Sequence, residues 1–267
     1  MKLRYNDFLK SILVVTRCSG ERTALKLIID LAEFLPPENI RVVTGIPAAI
    51  TFMNTYRVAS ESDLPYLLAL DGDITIKTDT FQILYKNYLK FDGDKTLRMV
   101  CSVDDKFKGT RIAGNHFFYN KWSKQIYEYM KTEGDMTKSR PESGNIDKFA
   151  KKMGLSPVSF RKANLALHDY YQFYRRIFNS QRNLALKSQD KQKLYDECRK
   201  RLYSYPTMDW DLRIALEGVK YAMSEKRSDI TLNVVKFIDI SDILASIGLV
   251  EKDYLIPDLS KYIDWRI

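Results

Sequence analysis

The sequence predicts an α/β fold: a mixed, mostly parallel sheet flanked by helices, with a helical extension at its carboxyl end. Three observations carry this expectation. From residue 11 to 71, short aliphatic runs alternate with amphipathic segments, and such alternation builds a parallel sheet. Breakers such as Gly20 and Pro36-Pro37 separate those runs. From about Ser188 onward, charged helical segments replace strand-like ones.

Ser11 to Thr16 reads as a buried strand that breaks into the loop Arg17-Cys18-Ser19-Gly20, with Ser19 as a helix N-cap. Glu21 to Phe34 follows as a helix, because Leu25, Ile28, Ile29 and Ala32 recur on one face, and the proline pair stops it. Ile40 to Thr44 is a second strand and Ala48 to Ala59 a second helix. The apolar run from Leu64 to Leu70 is a third strand, ending at Asp71. A helix near Thr80 to Leu89 leads to strands at Leu97–Val103 and Arg111–Tyr119, separated by a polar turn from Asp104 to Gly109. Beyond these come helices at Trp122–Lys131 and Ile146–Met153, the second entered from the loop Arg140-Pro141-Glu142-Ser143-Gly144. A strand at Val158–Phe160 and an aromatic, basic helix at Tyr170–Phe178 follow. Charged helices around Gln192–Leu202 and Trp210–Met223 complete the pattern. The expected division is a domain over residues 1–187 and a mainly helical extension over 188–267.

The chain has 267 residues, 45% of them hydrophobic, enough for one large core or a domain with an appendage. No apolar run reaches the ~20 residues that span a bilayer. The start, Met1-Lys2-Leu3-Arg4, does not read as a signal peptide, so a cytoplasmic protein is expected. Three cysteines, Cys18, Cys101 and Cys198, are far apart and lack CxxC spacing, so neither a disulfide framework nor a zinc site follows. A formal charge of +9 and a pI near 9.2 call for an anionic partner: a nucleotide, nucleic acid or an acidic membrane surface.

The tripeptide Asp71-Gly72-Asp73 stands directly after the third strand. In parallel α/β sheets ligands bind at the carboxyl ends of the strands, so it shares an edge with Thr16-Arg17. In extended chain, residues i and i+2 share a face, which would turn both carboxylates toward one divalent cation. The same tripeptide is also good turn chemistry. Asp92-Gly93-Asp94, which no apolar strand precedes, reads as a plain loop and serves as an internal control. His168, one of two histidines, follows an apolar stretch and reads as a third metal ligand or as a structural histidine.

Taken in order, Val14-Val15-Thr16-Arg17, Asp71-Gly72-Asp73, Ala113 to Tyr119, Arg140-Pro141-Glu142-Ser143 and Ala166-Leu167-His168-Asp169-Tyr170 resemble the GT-A glycosyltransferases, over about residues 10 to 187. The likeness is to small microbial and viral members of that fold. It implies a Rossmann-like, metal-dependent enzyme that moves a sugar from a nucleotide-sugar donor, with UDP as the expected carrier, to a hydroxyl of a glycan or lipid-linked glycan. By this resemblance Asp73 and His168 would ligate Mn²⁺ or Mg²⁺, with Asp71 on the ribose or the metal's water shell. Thr16 and Arg17 would lie near the base and ribose, and Lys187 near the departing diphosphate.

Glu142 would be the acceptor-side acid, as general base or as support for the donor sugar; a helix N-terminal acid is the alternative. Asp169 is a rival base or an N-cap. Asn115 and His116 are placed for donor or acceptor contact, Gly72 for close approach to the ligand, and Arg22 for phosphate. Two other readings stay open: a nucleotidyltransferase acting on sugar phosphates, and a basic nucleic-acid or membrane-surface module built on Lys187 to Arg227. Acidic residues interrupt that last segment, which disfavours nucleic acid, while peripheral contact with an anionic membrane stays compatible with the enzyme reading.

Overall fold

The computed structural model describes residues 2–45, 48–92, 94–137, 141–225 and 238–255. One compact unit extends through Tyr170, and a second runs from Tyr171 to Leu255. The fold class expected from the sequence is the one found, a mixed α/β sheet between helices.

In the first unit α1 (Tyr5–Lys10) leads into β1 (Ile12–Cys18), followed by α2 (Ala24–Ala32), β2 (Ile40–Thr44), α3 (Ala48–Ser60) and β3 (Tyr66–Asp71). Then come β4 (Ile74–Ile76), α4 (Thr80–Tyr88), β5 (Thr96–Asp105), β6 (Gly109–Ile112), β7 (Asn115–Tyr119), α5 (Ser123–Thr132), α6 (Pro141–Lys152) and β8 (Ser156–His168). The sheet order is β2-β1-β3-β7-β5-β8-β4, with β6 paired to the end of β5. Strands β1, β2 and β3 are mutually parallel, as are β5 and β8; β7 runs antiparallel between β3 and β5, and β4 antiparallel to β8.

Every residue of β1 is buried, as expected where helices cover both faces of a strand. Its alternate residues feed two cores. Ile12 and Val14, with Leu68, Met99 and Phe117, meet Phe8, Leu27, Leu31, Phe81 and Leu84 from α1, α2 and α4. Leu13 and Val15, with Leu67 and Phe118, meet Tyr56, Ile126, Met130, Ile146 and Phe149 from α3, α5 and α6. Burying such side chains contributes about 1.5–3 kcal/mol each, so the two layers fix the strand register.

Several elements differ from the sequence reading for identifiable reasons. The strand expected over Arg111–Tyr119 is two strands, because Gly114 adopts φ +61 and turns the chain from β6 to β7. The strand at Val158–Phe160 extends to His168, with register irregularities against β5 that the polar residues near Asn164 disguise in the sequence. Helix α2 starts later than Glu21, since the Glu21 carboxylate turns back to accept from Ser19 N (2.5 Å) and Ser19 Oγ (2.7 Å), which also leaves Ser19 outside any cap. Helix α6 starts at Pro141, so Glu142 lies in its first turn and not in a preceding loop; proline suits that first position. The control tripeptide is a loop, with Asp94 N bonded to Asp92 Oδ1 at 3.1 Å; its Gly93 lies outside the described residues.

The second unit contains α7 (Tyr174–Lys187), α8 (Lys191–Tyr203), α9 (Trp210–Ser224) and α10 (Ser241–Ser246). Helix α7 begins later than Tyr170 because Asp169 and Tyr171 both take positive φ, and it belongs with the helices after it, so the division falls at 170 and not at 187. The packing explains this: Gly218 of α9 lies so close to α7 that a Cβ there would collide with the Phe178 carbonyl oxygen. Arg182 also makes a two-pronged pair with Glu225, at 2.9 and 2.6 Å. Asp190 and Asp209 cap α8 and α9 by accepting from Lys193 N and Leu212 N. Among the described residues, no helix is long and apolar enough to cross a membrane.

Candidate active site

The chain leaves β1 for β2 on one side and returns to β3 on the other, so the strand order reverses between β1 and β3. A crevice opens outside the carboxyl ends of strands at such a reversal. Arg17 and Asp71 are register partners there, and Gly72 N bonds Arg17 O at 2.8 Å. Strand β3 stops at Asp71, and Gly72 and Asp73 form a turn into β4. The same-face rule for extended chain therefore does not hold across this tripeptide, and its two carboxylates part company.

Asp73 faces the end of β8. Ile74 pairs with His168, and Asp169 N bonds Asp73 O at 3.1 Å, so β4 and β8 hold the two segments together. Asp73, His168 and Asp169 each offer a ligand atom within 4.8 Å of the others, and His168 Nε2 stands 3.5 Å from Asp73 Oδ1. Two carboxylates and an imidazole at this spacing fit a divalent ion. On the far side of the ring, Nδ1 lies 3.1 Å from Asp105 Oδ2 and 3.2 Å from Asp169 Oδ2. Arg111 Nη2 also lies 3.3 Å from Nδ1, but the two nearer carboxylates favour a proton there, which leaves the Nε2 lone pair for an ion beside Asp73.

Asp105 is itself fixed. Its Oδ1 accepts from Phe107 N and Lys108 N, both at 2.8 Å, and its Oδ2 from Arg111 Nε at 2.5 Å. Burial opposes the charge on His168, but Asp73 and the hydrogen bonds of Asp105 and Asp169 outweigh it and hold the imidazole pKa up to about 11. Burial likewise opposes the Asp105 carboxylate, yet His168 and Arg111 hold its pKa well below the usual range. A metal ion at Nε2 would take the place of the proton that this acidic surround attracts.

A second polar cluster is buried beside Arg17. One guanidinium nitrogen contacts Asp71 Oδ1 at 2.8 Å and another Glu142 Oε1 at 2.6 Å, and the group lies over the Phe52 ring. Tyr56 Oη donates to the same Glu142 oxygen at 2.8 Å, and His116 Nδ1 stands 3.9 Å from it. Burial would raise the Glu142 pKa, but Arg17, His116 and the hydrogen bonds from Arg17 and Tyr56 bring it down to about 2. Burial, with Arg17 and Arg98 nearby, pushes His116 down to about 4 against the pull of Glu142, so the ring is neutral at pH 7.

No family model and no curated protein matches the chain. Solved structures do. A glycosyltransferase involved in glycosylation of the major capsid of PBCV-1 is similar at 11% identity and TM-score 0.43, over 59% of this chain and 92% of that one. A mannosyltransferase from Pyrobaculum calidifontis, in complex with GDP-mannose and Mn²⁺, is similar at 10% identity and TM-score 0.43, over 82% and 75%. A 4-diphosphocytidyl-2C-methyl-D-erythritol synthase from Anaerococcus prevotii is similar at 15% identity and TM-score 0.39, over 61% and 93%.

The structure places Asp73, His168 and Asp169 together and turns Asp71 to Arg17. Thr16 is fully buried and its hydroxyl bonds Arg41 O at 3.2 Å. Asn115 bonds Cys101 N and O, both at 2.9 Å, stitching β7 to β5 as a backbone pair would. Arg22 lies half-buried between β1 and α2, and Lys187 is exposed at the end of α7, in the second unit. Gly72 is packed closely by protein: a Cβ would stand 2.7 Å from Glu21 Oε2 and 3.1 Å from Arg17 O. Sequence reasoning missed Asp105, Arg111, Tyr56 and Glu21. Asp105 carries the one signal that could have found it, an acid at the end of an apolar strand, as Asp71 is.

Proposed function

We propose that this protein is a divalent-metal-dependent glycosyltransferase that moves a sugar from a nucleoside diphosphate to a hydroxyl of a glycan. The observation that carries this reading is the Asp73–His168–Asp169 group at the crevice edge of the sheet. The loop after β1 supports it. In a phosphate-cradling loop the backbone N–H groups would face the ligand. Here Ser19 N is bonded to the Glu21 carboxylate, and Gly20 is the loop's sole glycine, so a diphosphate requires a cation for neutralisation.

In this proposal Asp73, His168 and Asp169 would hold the ion, which would supply neutralisation of the diphosphate leaving group; the anomeric C–O bond to the diphosphate breaks, the acceptor oxygen bonds that carbon, and the acceptor's proton leaves with the diphosphate. The imidazole favours a transition ion and the carboxylates a hard one, and Mn²⁺ suits both. A carboxylate held near pKa 2 accepts protons poorly at neutral pH, so Glu142 acts by positioning Arg17, which in turn orients Asp71 toward the donor ribose. Nucleoside diphosphate at a hundred times its dissociation constant should stabilise the protein by about 2.7 kcal/mol. We expect UDP or GDP to raise Tm with Mn²⁺, not to do so without metal, and to lose this effect in Asp73→Ala while the variant stays folded. No stabilisation by any nucleoside diphosphate plus Mn²⁺ would refute the reading. Pyrophosphate release, detected by product mass, would identify a nucleotidyltransferase instead.

A further inference from the structure

The connection between α8 and α9 presents an unusual surface. Tyr203 is 72% exposed, Met208 56%, and Tyr205 and Trp210 40% each, all within eight positions. Scattered exposed apolar residues need no explanation, but four large ones within one short connection are a concentration that does. The connection is held in shape: Ser204 N and Oγ both bond Arg201 O, at 3.1 and 2.7 Å, and Asp209 caps α9.

Its charge points to the partner. Arg199, Lys200 and Arg201 lie between the exposed Asp196-Glu197 pair, one turn earlier on α8, and the aromatic tip, and no acidic residue occurs from Cys198 to Met208. Arg199 and Lys200 are exposed, and among the described residues neither makes an ion pair. The nearest following acids are engaged within the unit: Asp209 accepts from Leu212 N, and Asp211 pairs with Lys252. Tyrosine and tryptophan, with apolar bodies and polar tips, are the residues that settle at the headgroup level of a bilayer, and adjacent lysine and arginine add attraction to anionic lipid.

We propose that the α8–α9 tip is a peripheral docking site for an anionic lipid surface. Tyr203, Tyr205, Met208 and Trp210 enter the interface while Arg199 and Lys200 lie against the headgroups. The site is independent of the catalytic reading, since it requires no donor, metal or acceptor. The test is flotation of the full chain with vesicles of phosphatidylcholine alone and of phosphatidylcholine with about 30% phosphatidylserine, for an inner-leaflet-like charge. Binding to the anionic vesicles alone, weakened by salt, is expected. Arg199→Gln with Lys200→Gln should lower the partition coefficient roughly 30-fold, from about 1 kcal/mol per basic residue. Tyr203→Ser with Trp210→Ser should lower it at unchanged Tm and remove a blue shift of tryptophan emission on vesicle addition. Failure to bind anionic vesicles, equal binding to both compositions, or binding that survives both double variants would overturn the proposal. A lysate protein retained in place of vesicles would count against it too. Nucleotide-dependent stabilisation, measured without lipid, tests the enzyme separately.

Discussion

Replacing Asp105 by Asn probes the metal group without touching a proposed ligand. The asparagine carbonyl can keep the two amide bonds that Phe107 and Lys108 donate to Oδ1, so the turn after β5 survives. Its NH₂ replaces the oxygen that faces Arg111 Nε at 2.5 Å and His168 Nδ1 at 3.1 Å. A donor at that position favours the ring tautomer with its proton on Nε2, which turns an N–H toward Asp73 and the ion. Loss of such a partner typically weakens metal affinity 10- to 100-fold, or about 1.4–2.8 kcal/mol. Arg111 is partly open to water, so the lost ion pair itself should cost about 1 kcal/mol or less. Titration of free Mn²⁺ by electron paramagnetic resonance, with thermal melts in parallel, measures both quantities. A folded Asp105→Asn variant that binds Mn²⁺ as tightly as the parent would refute the assigned role of Asp105 and the tautomer argument with it.

Two further outcomes follow from the same geometry. Gly114→Ala should cost roughly 1–2 kcal/mol, because φ +61 disfavours a side chain and the new Cβ would meet Ile74 Cδ1 at 2.7 Å; a fall in Tm of about 2–8 °C is expected in calorimetry. Below about pH 6, stability without metal should decline as pH falls. The folded pKa of His116 is lowered to about 4, so its contribution is complete above the unfolded value near 6.5 and is lost as pH drops through 4. Glu142, lowered to about 2, adds a second loss between about 4.5 and 2. His168 is protonated in both states below about pH 6 and adds no slope there. Urea unfolding against pH should show a flatter limb between pH 6.5 and 4 in His116→Gln, and an unchanged limb would remove His116 from the account.

Much of the first unit was legible because burial on both faces leaves a plain mark. The runs that became β1, β2 and β3 are aliphatic throughout, and between them the helical period of residues 24–32 is hard to mistake. Elements decided by tertiary contact were hidden. Helix α1 is too short to show a period and depends on Phe8, stacked on Tyr88 with ring centres 4.4 Å apart. Strand β4 has three residues, and its pairing with β8 spans most of the unit. The α7 boundary failed for a similar reason: an aromatic, basic helix looks alike whether it closes one unit or opens the next, and only the approach of Gly218 to Phe178 decides.

The site was legible as a location more than as a set of roles. Asp71-Gly72-Asp73 and Asp92-Gly93-Asp94 are the same tripeptide, and what separates them is what each abuts. The first leaves a buried strand at the point of order reversal, while the second follows α4 and places Asp94 almost wholly in solvent. Within the first, strand periodicity assigned both carboxylates to one ion. The strand ends one residue too soon for that, so Asp71 joins the buried Arg17–Glu142 group and Asp73 joins His168. The division has a physical consequence. Arg17 is buried and charged, and two carboxylates balance it, so removing Glu142 would leave Asp71 as its chief counter-charge and draw that side chain inward. The Asp71 carboxylate therefore shares Arg17 with a residue on α6, far away in sequence, a helix that no reading of the tripeptide would have included.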